Sequence, residues 1–546
     1  MTKIDKAVKE VRSDERTKRV TNFMGGNSYN LGKLNTLKMI TASSIFGEPQ
    51  YYRDGEFAEK TIKDGVYSID AVFAEYAIKE LDPFKGMKTS DVMVKAINEA
   101  LDEDFGAVLE WAATLRTGFN MRLNPQVIMV TAANHPKRAE WCEKHPGEFA
   151  KIQAKVMSRA DEPASQLAYQ LYAHGGKKGC PTILKRTWAE KLSGLSRYQV
   201  AKYKNEHVGM IDTVRISHAH SDVLDELLRT GTVAVSEEEK TWENLRSEGK
   251  TWTEILGTIK IGHMALLRNL RNIFGEVEDE VLTKDILSTL KKGVAEGKQF
   301  PFRYWSAYKM IERADVHHKA LILDALEECM DISLDNMPKL KGKVMCLSDN
   351  SGSAWGTFNS EYGSVTVAEI GNLSSVITAM LADEGYVGVF GDRLEVLPIS
   401  KRNGVLKQMK EVTAKGRTVG GGTENGIWLF WDKAIKNAET WNHVFIYSDM
   451  QAGHGGLYGL NSSNYREYTC RGHYIDVMKL VSTYRAKVFS GVNVFSVQTA
   501  GYTNVLLPEY SYRANALYGW TGKEVLFADV MNKFWDQIDS RKHNKQ

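Results

Sequence analysis

Between about residue 70 and residue 335, apolar positions recur at three- and four-residue spacing, interrupted by short polar or Gly/Pro breaks. That is the period of amphipathic helices packed by one face. In TSDVMVKAINEALDEDFG, Met93, Ile97 and Leu101 share a face and Ser90 is the expected N-cap. In SDVLDELLRTG a helix is expected to start after Ser221 and to stop at Gly231. Strand patterns are scarce in this region. Many helices of moderate length joined by short loops predict stacked helix pairs, an α-solenoid, although no strict repeat period is visible.

After about Met337 the period changes. Four short apolar runs, KVMCLSD, YVGVFGD, HVFIYSD and VNVFSVQ, alternate with helical stretches such as VAEIGNLSSVITAMLADEG and CRGHYIDVMKLVSTYRAK. Alternation of strands and helices predicts a doubly wound α/β domain with a parallel sheet covered on both faces. Functional groups in such a sheet gather at the carboxyl ends of the strands, near a switch in strand order. Asp349, Asp392 and Asp449 each stand where an apolar run ends.

Composition adds limits. With 546 residues, 43% hydrophobic and 25% charged, the chain is globular and long enough for at least two domains. Its amino terminus lacks an apolar signal segment, and no stretch reaches the roughly 18 apolar residues of a membrane span, so a cytoplasmic protein is expected. The five cysteines are far apart with no CxxC pair, which suggests neither a disulfide framework nor a thiolate zinc site.

The net charge of +3 hides a basic island. From Lys177 to Lys204 there are eight basic residues (Lys177, Lys178, Lys185, Arg186, Lys191, Arg197, Lys202, Lys204) against the single acid Glu190, with Trp188, Tyr198 and Tyr203 among them. Cations interleaved with aromatics suit a phosphate backbone and stacked bases, whereas most charged helical runs are only solvated faces. A partly exposed His218 can also donate to phosphate, although a lone histidine is more often structural.

The carboxyl-terminal part carries a second chemistry. Asp349, Ser351 and Ser353 follow one strand, Thr423 lies in the Gly-rich TVGGGTENG, and Asp449 follows VFIYS. Five oxygen groups, two of them carboxylates, make a hard anionic set suited to a divalent cation such as Mg²⁺, with one coordination position left for a ligand. Gly420, Gly421 and Gly422 would let the backbone bearing Thr423 approach closely. The plainer reading of DNSGS is a turn and helix cap. GGGTENG lacks the lysine of a phosphate-binding P-loop.

These residues resemble a known family. DNSGS, the later GGT and Asp449 resemble the metal-ion-dependent adhesion site of von Willebrand factor A domains. FPFRYWSAYKMIERA (Phe300 to Ala314), IGHMALLRNLRNIF (Ile261 to Phe274) and KYKNEHVGMIDTVRISHAH are similar to segments of the TROVE family, the Ro-type RNA-binding proteins. The resemblance implies HEAT-like helical repeats, closed into a ring, over residues 1–340 and a von Willebrand factor A-like domain over 341–546. It implies binding of small structured Y-like RNA on a basic outer surface and of single-stranded 3′ ends of misfolded RNA in the ring. By position it places RNA contacts at Lys202, Lys204 and His218, with Glu206 standing where the family pattern is basic.

The function expected from all this is a non-enzymatic RNA-binding scaffold of a ribonucleoprotein in RNA quality control or processing, which presents RNA to an exoribonuclease or another protein. Lys185, Arg186 and Arg197 are further candidate RNA contacts from the island, and Arg268 is a candidate ring-lining contact. The competing expectation is an adaptor whose metal site captures a partner's carboxylate. A metal-dependent hydrolase is disfavoured because no general base with a partner accompanies the five oxygen groups.

Overall fold

The computed structural model describes residues 18–21, 27–30, 33–43, 89–175, 179–203, 208–236, 239–355, 357–360, 363–421, 426–448, 469–470, 474–475, 477–499, 513–518 and 522–543. The chain forms two compact units, one of residues 93–261 and one of residues 1–92 with 262–546.

The first unit is helical, and each helix packs chiefly on helices near it in sequence. Phe105–Thr117 starts at Asp104, whose side chain accepts from Ala107 N at 3.0 Å. It packs on Leu123–Asn134 and Glu148–Val156. Leu123–Asn134 is buried on nearly all sides, from Asn124 through Ala133, so its polar groups need partners inside the fold. Gln126 donates to Val156 O at 3.1 Å and accepts from Gln166 Nε2 at 2.6 Å, while Asn134 donates to Gln170 Oε1 at 2.6 Å. Gln166 Oε1 also accepts from the fully buried Trp188 indole at 2.7 Å. A polar seam built on these amides thus joins four helices, Leu123–Asn134, Glu148–Val156, Glu162–His174 and Thr182–Ser193, through their otherwise apolar core. Ser221 and Gly231 close their helix as expected: Ser221 Oγ accepts from Leu224 N at 3.3 Å, and Gly231 takes φ 74°. Ser90 instead lies within its helix, Thr89–Glu103.

In the second unit the helices His263–Phe274, Glu280–Gly297, Pro301–Arg313 and Lys319–Ser333 pack on one another. The last of them packs on Val405–Gly416, a helix of the α/β part, where Asp331 Oδ1 accepts from Val405 N at 2.8 Å. The change from helices to sheet strands falls between Ser333 and Leu340, whereas the compact units divide at 92/93 and 261/262.

The main sheet has six strands: β1 (Leu340–Asp349), β2 (Ala382–Phe390), β3 (Leu394–Ile399), β4 (His443–Ser448), β5 (Asn493–Gln498) and β6 (Ala514–Tyr518). Their order is β6-β5-β4-β1-β2-β3, all parallel except the β2/β3 pair. Chain order reverses between β1 and β4, which makes their carboxyl ends the switch point. Helix Val367–Met380 connects β1 to β2, and Val405–Gly416 and Gly426–Lys436 connect β3 to β4. Val344 through Asn350 are buried, the continuous burial a central parallel strand requires. The four predicted apolar runs are β1, β2, β4 and β5. The fold is therefore a helical-repeat part followed by a von Willebrand factor A-like α/β domain. Cys142, Cys180, Cys329 and Cys346 are free thiols.

Burial pushes the Asp331 carboxyl above its ordinary value of 3.8, with the Val405 N–H pulling the other way. A carboxylate raised on folding costs stability once ionised, and that cost appears as pH rises through the raised value. Asp331→Asn, which keeps an acceptor and removes the charge, is expected to gain on the wild type between pH 4 and pH 7 in urea unfolding. Asp331→Ala should lose about 1–2 kcal/mol at pH 7. If Asp331→Asn instead lost ground as pH rose, the ionised form would be the stabilising one.

Candidate metal centre and nucleic-acid interface

At the end of β1 the chain leaves the sheet into one 3₁₀ turn, Gly352–Trp355, and holds its polar residues inside. Asp349, Asn350 and Ser351 are each 1% exposed. A carboxylate so buried must be paired. Asp349 Oδ1 accepts from Ser351 N at 3.0 Å, and Oδ2 accepts from Ser448 Oγ at 2.8 Å. The second bond runs from β1 to the last residue of β4, directly across the switch point.

Asn350, which read as an ordinary turn residue, clamps this turn to the helices behind it. It exchanges two amide hydrogen bonds with Asn372, at 2.9 and 3.0 Å, and its carbonyl accepts from Trp355 Nε1 at 3.0 Å. Asn372 accepts from Ser348 Oγ at 2.8 Å and donates to Thr413 Oγ1 at 3.3 Å. A Cβ on Gly416 would stand 2.0 Å from Asn350 Oδ1, so that helix can come this close only with glycine there. The Gly-rich segment reaches the same turn: Gly352 N donates to Gly421 O at 2.8 Å, and Gly420 takes φ 91°.

Ser351 Oγ and Ser353 Oγ stand 3.3 Å apart. Adjacent ligands of an octahedral Mg²⁺, at metal–oxygen distances of about 2.1 Å, lie about 3 Å apart, so these two hydroxyls are near the required spacing. Asp349, Ser351 and Ser353 thus fit a small hard cation. Thr423 and Asp449 lie outside the described residues. Asp392 is exposed at the end of β2, and its carboxylate lies where a Cβ on Gly420 would be. Among the described residues no group of three or more His, Cys, Asp or Glu side chains could hold a metal, so the hydroxyls distinguish this place.

The basic island lies in the helical unit. Helices Thr182–Ser193, Arg197–Lys202, Met210–Ser217 and Asp222–Thr230 share one apolar core that includes Leu192, Val200, Met210, Val214, Leu224 and Leu227. Their cations ring this core. Arg186, Lys202 and His218 are exposed, and Lys185 is half-buried. His218 caps its helix with φ 59°. Arg197 Nη1 donates to Glu226 Oε2 at 2.7 Å and to Ala234 O at 3.2 Å, so one end of its exposed guanidinium is tied to the fold. Lys204 lies outside the described residues, as do Lys177 and Lys178. Arg268 is exposed on His263–Phe274, in the other compact unit.

Tertiary contacts add a feature the island did not announce. The Lys202 ammonium donates to Tyr198 OH at 3.0 Å and lies 5.2 Å from the Tyr198 ring centre and 5.8 Å from that of Tyr203. Arg159, outside the island in sequence, places its guanidinium 5.1 Å from the Tyr203 ring. The result is a ladder of alternating cations and aromatic rings. The Tyr198 hydrogen bond holds the Lys202 ammonium above its ordinary value, so it stays charged. Burial pushes the Asp161 carboxyl up, but hydrogen bonding by Arg159 and the charges of Arg159 and Arg122 hold it below its usual value, which pins Arg159 in place.

Among solved structures this chain is similar to the Ro (RSR) protein of Deinococcus radiodurans, with a TM-score of 0.56 and 14% sequence identity, over 79% of this chain and 92% of that one. The two share a fold, that of a Ro-type protein. No protein-family model matches the sequence, and no curated protein matches it.

Ser448→Ala is expected to lower stability by about 1.5–3 kcal/mol in urea with chelator present, because a buried carboxylate loses a hydroxyl donor. Ser351→Ala keeps the backbone N–H that serves Asp349, so it should cost less stability and instead weaken Mg²⁺ binding in calorimetry. Wild-type stability for Ser448→Ala would remove the proposed role of that bond.

Proposed function

We propose that this chain is a Ro-type RNA-binding protein that binds small structured RNA through its basic helical face and acts as a scaffold rather than a catalyst. The observation that carries this reading is the arrangement of exposed cations and aromatic rings around the single core of residues 192–233, with Lys202 and Arg159 laddered against Tyr198 and Tyr203. Cations supply phosphate contact and rings supply base stacking. The shared fold supports the reading. On it, residues 1–340 form the RNA-binding helical part and 341–546 the A-like part. Single-stranded 3′ ends of misfolded RNA would be a second ligand class, with Arg268 among their contacts. Among the described residues no helix is long and apolar enough to cross a membrane, and we place the protein in the cytoplasm.

The A-like part would hold a divalent cation, Mg²⁺ by its oxygen donors, on Asp349, Ser351 and Ser353 together with Thr423 and Asp449. Such an ion supplies one open coordination position. The hydroxyl pair at 3.3 Å favours a second reading, in which that position takes a carboxylate from a partner such as an exoribonuclease. The two readings are compatible, and the first is the function.

Replacing Lys202, Lys204 and His218 together by Ala should weaken binding of a stem-loop RNA and make the slope of log K against log salt shallower by roughly one unit per lost phosphate contact. Asp349→Ala and EDTA should leave that slope unchanged. The assay is a gel shift at several salt concentrations, with the stem-loop alone and with a 3′ single-stranded extension. Unchanged affinity and slope for both RNAs would overturn the assignment of these residues; loss of all binding with EDTA would favour the adaptor.

A further inference from the structure

Beside the ladder lies a cleft of about 170 Å³ whose walls carry Tyr198, Lys202, Thr232, Glu239 and Asn244. Its floor is Val200, Leu227 and Val233, all part of the buried core. The volume is well below the roughly 300–1,000 Å³ of pockets that enclose drug-sized ligands, so it has room for one heterocycle rather than a length of chain. The cleft is preformed. Arg197 binds Glu226 and Ala234 O, and Glu226 Oε1 accepts from Ala234 N at 3.1 Å, which fixes the 231–236 segment against helix Arg197–Lys202.

We infer that this cleft receives one unpaired guanine base of the RNA held on the basic face; the inference rests on the RNA-binding reading. Three features select that ligand. Tyr198 is 37% exposed and held in orientation by its contacts with Lys202, which makes it a stacking platform at the cleft mouth. Glu239 spends only Oε2 within the chain, accepting from Ser236 N at 3.2 Å and Ser236 Oγ at 3.3 Å; Oε1 has no partner among the described residues. Asn244 uses its Oδ1 to accept from Thr241 N and Thr241 Oγ1, at 3.0 and 2.8 Å, and its Nδ2 donors have no partner among the described residues.

The cleft therefore offers a carboxylate with an unused oxygen together with amide and ammonium donors. Guanine matches that set, with two adjacent N–H donors (N1 and N2) for a carboxylate and a carbonyl (O6) for an N–H donor. Cytosine and uracil place the acceptor O2 where guanine carries its N2 donor, and adenine places the acceptor N1 where guanine carries N1–H, so each would turn a bare acceptor toward the carboxylate. An acid on a face that otherwise recruits phosphate also repels the backbone, so Glu239 contributes to RNA binding only through a base edge.

The test uses the full chain and a stem-loop RNA carrying a 3′ tail of U, into which a single G or a single A is placed at each position in turn. The wild type is expected to prefer the G series by about tenfold at one or two tail positions. Glu239→Gln, which can still accept from Ser236, should erase that preference while the untailed stem-loop binds no more weakly than it does to the wild type. Tyr198→Ala should weaken both series by roughly tenfold where the base is engaged. Circular dichroism melting of each variant controls for folding. No G preference in a wild type that binds the stem-loop, or a preference that survives Glu239→Gln, would overturn the base subsite alone. Failure of the wild type to bind any of these RNAs would overturn the RNA-binding reading and this inference with it.

Discussion

A carboxylate buried to 1% exposure cannot stand unpaired, and Asp349 occupies that position at the centre of the sheet. Its two oxygens are held by a backbone N–H from its own turn and a hydroxyl from the neighbouring strand, so the turn after β1 and the end of β4 are fixed relative to each other. Much of the rim follows from this. Asn350 must point inward to Asn372, Gly416 must lack a side chain, and Gly421 must lie against Gly352. The same bonds that stabilise the switch point also set Ser351 and Ser353 side by side, so the geometry that suits a cation is a consequence of how the strand end is satisfied.

The helical unit solves a different problem. Its core helices bury amides and satisfy them in a seam of Gln126, Gln166, Gln170 and Asn134, which leaves the outer face to carry charge. On that face cations and rings hold one another in place. Fixing Lys202 and Arg159 against tyrosines would lower the entropy lost on binding the proposed nucleic-acid ligand, a gain that loose surface lysines do not provide. The Asp349, Ser351 and Ser353 cluster and this face lie in different compact units, so substitutions at each report on it separately.

Some of this was legible in the sequence. Central parallel strands are buried on both faces and read as unbroken apolar runs, which is why β1, β2, β4 and β5 and the polar residues at their ends stood out. β3 did not, because it is an antiparallel edge strand with alternating half-burial and Pro398 within it, and β6 is short and rich in alanine. The clamp by Asn350 was hidden because its partner is 22 residues away and asparagine after a strand is an ordinary turn residue. The island's composition marked the basic face, but not that Arg197 would be bound by Glu226, nor that Arg159 would cover Tyr203. Those are tertiary contacts between helices whose spacing carries no trace of them.

The central claim is that RNA lies on the helical face of residues 179–236. Photo-crosslinking of the intact protein to a 4-thiouridine-labelled stem-loop with a 3′ tail, followed by peptide mapping, tests it directly. The account predicts crosslinks concentrated at peptides containing Lys185, Tyr198, Tyr203 and His218, and their persistence with EDTA present. Crosslinks confined to peptides of residues 341–546, or abolished by EDTA, would contradict it.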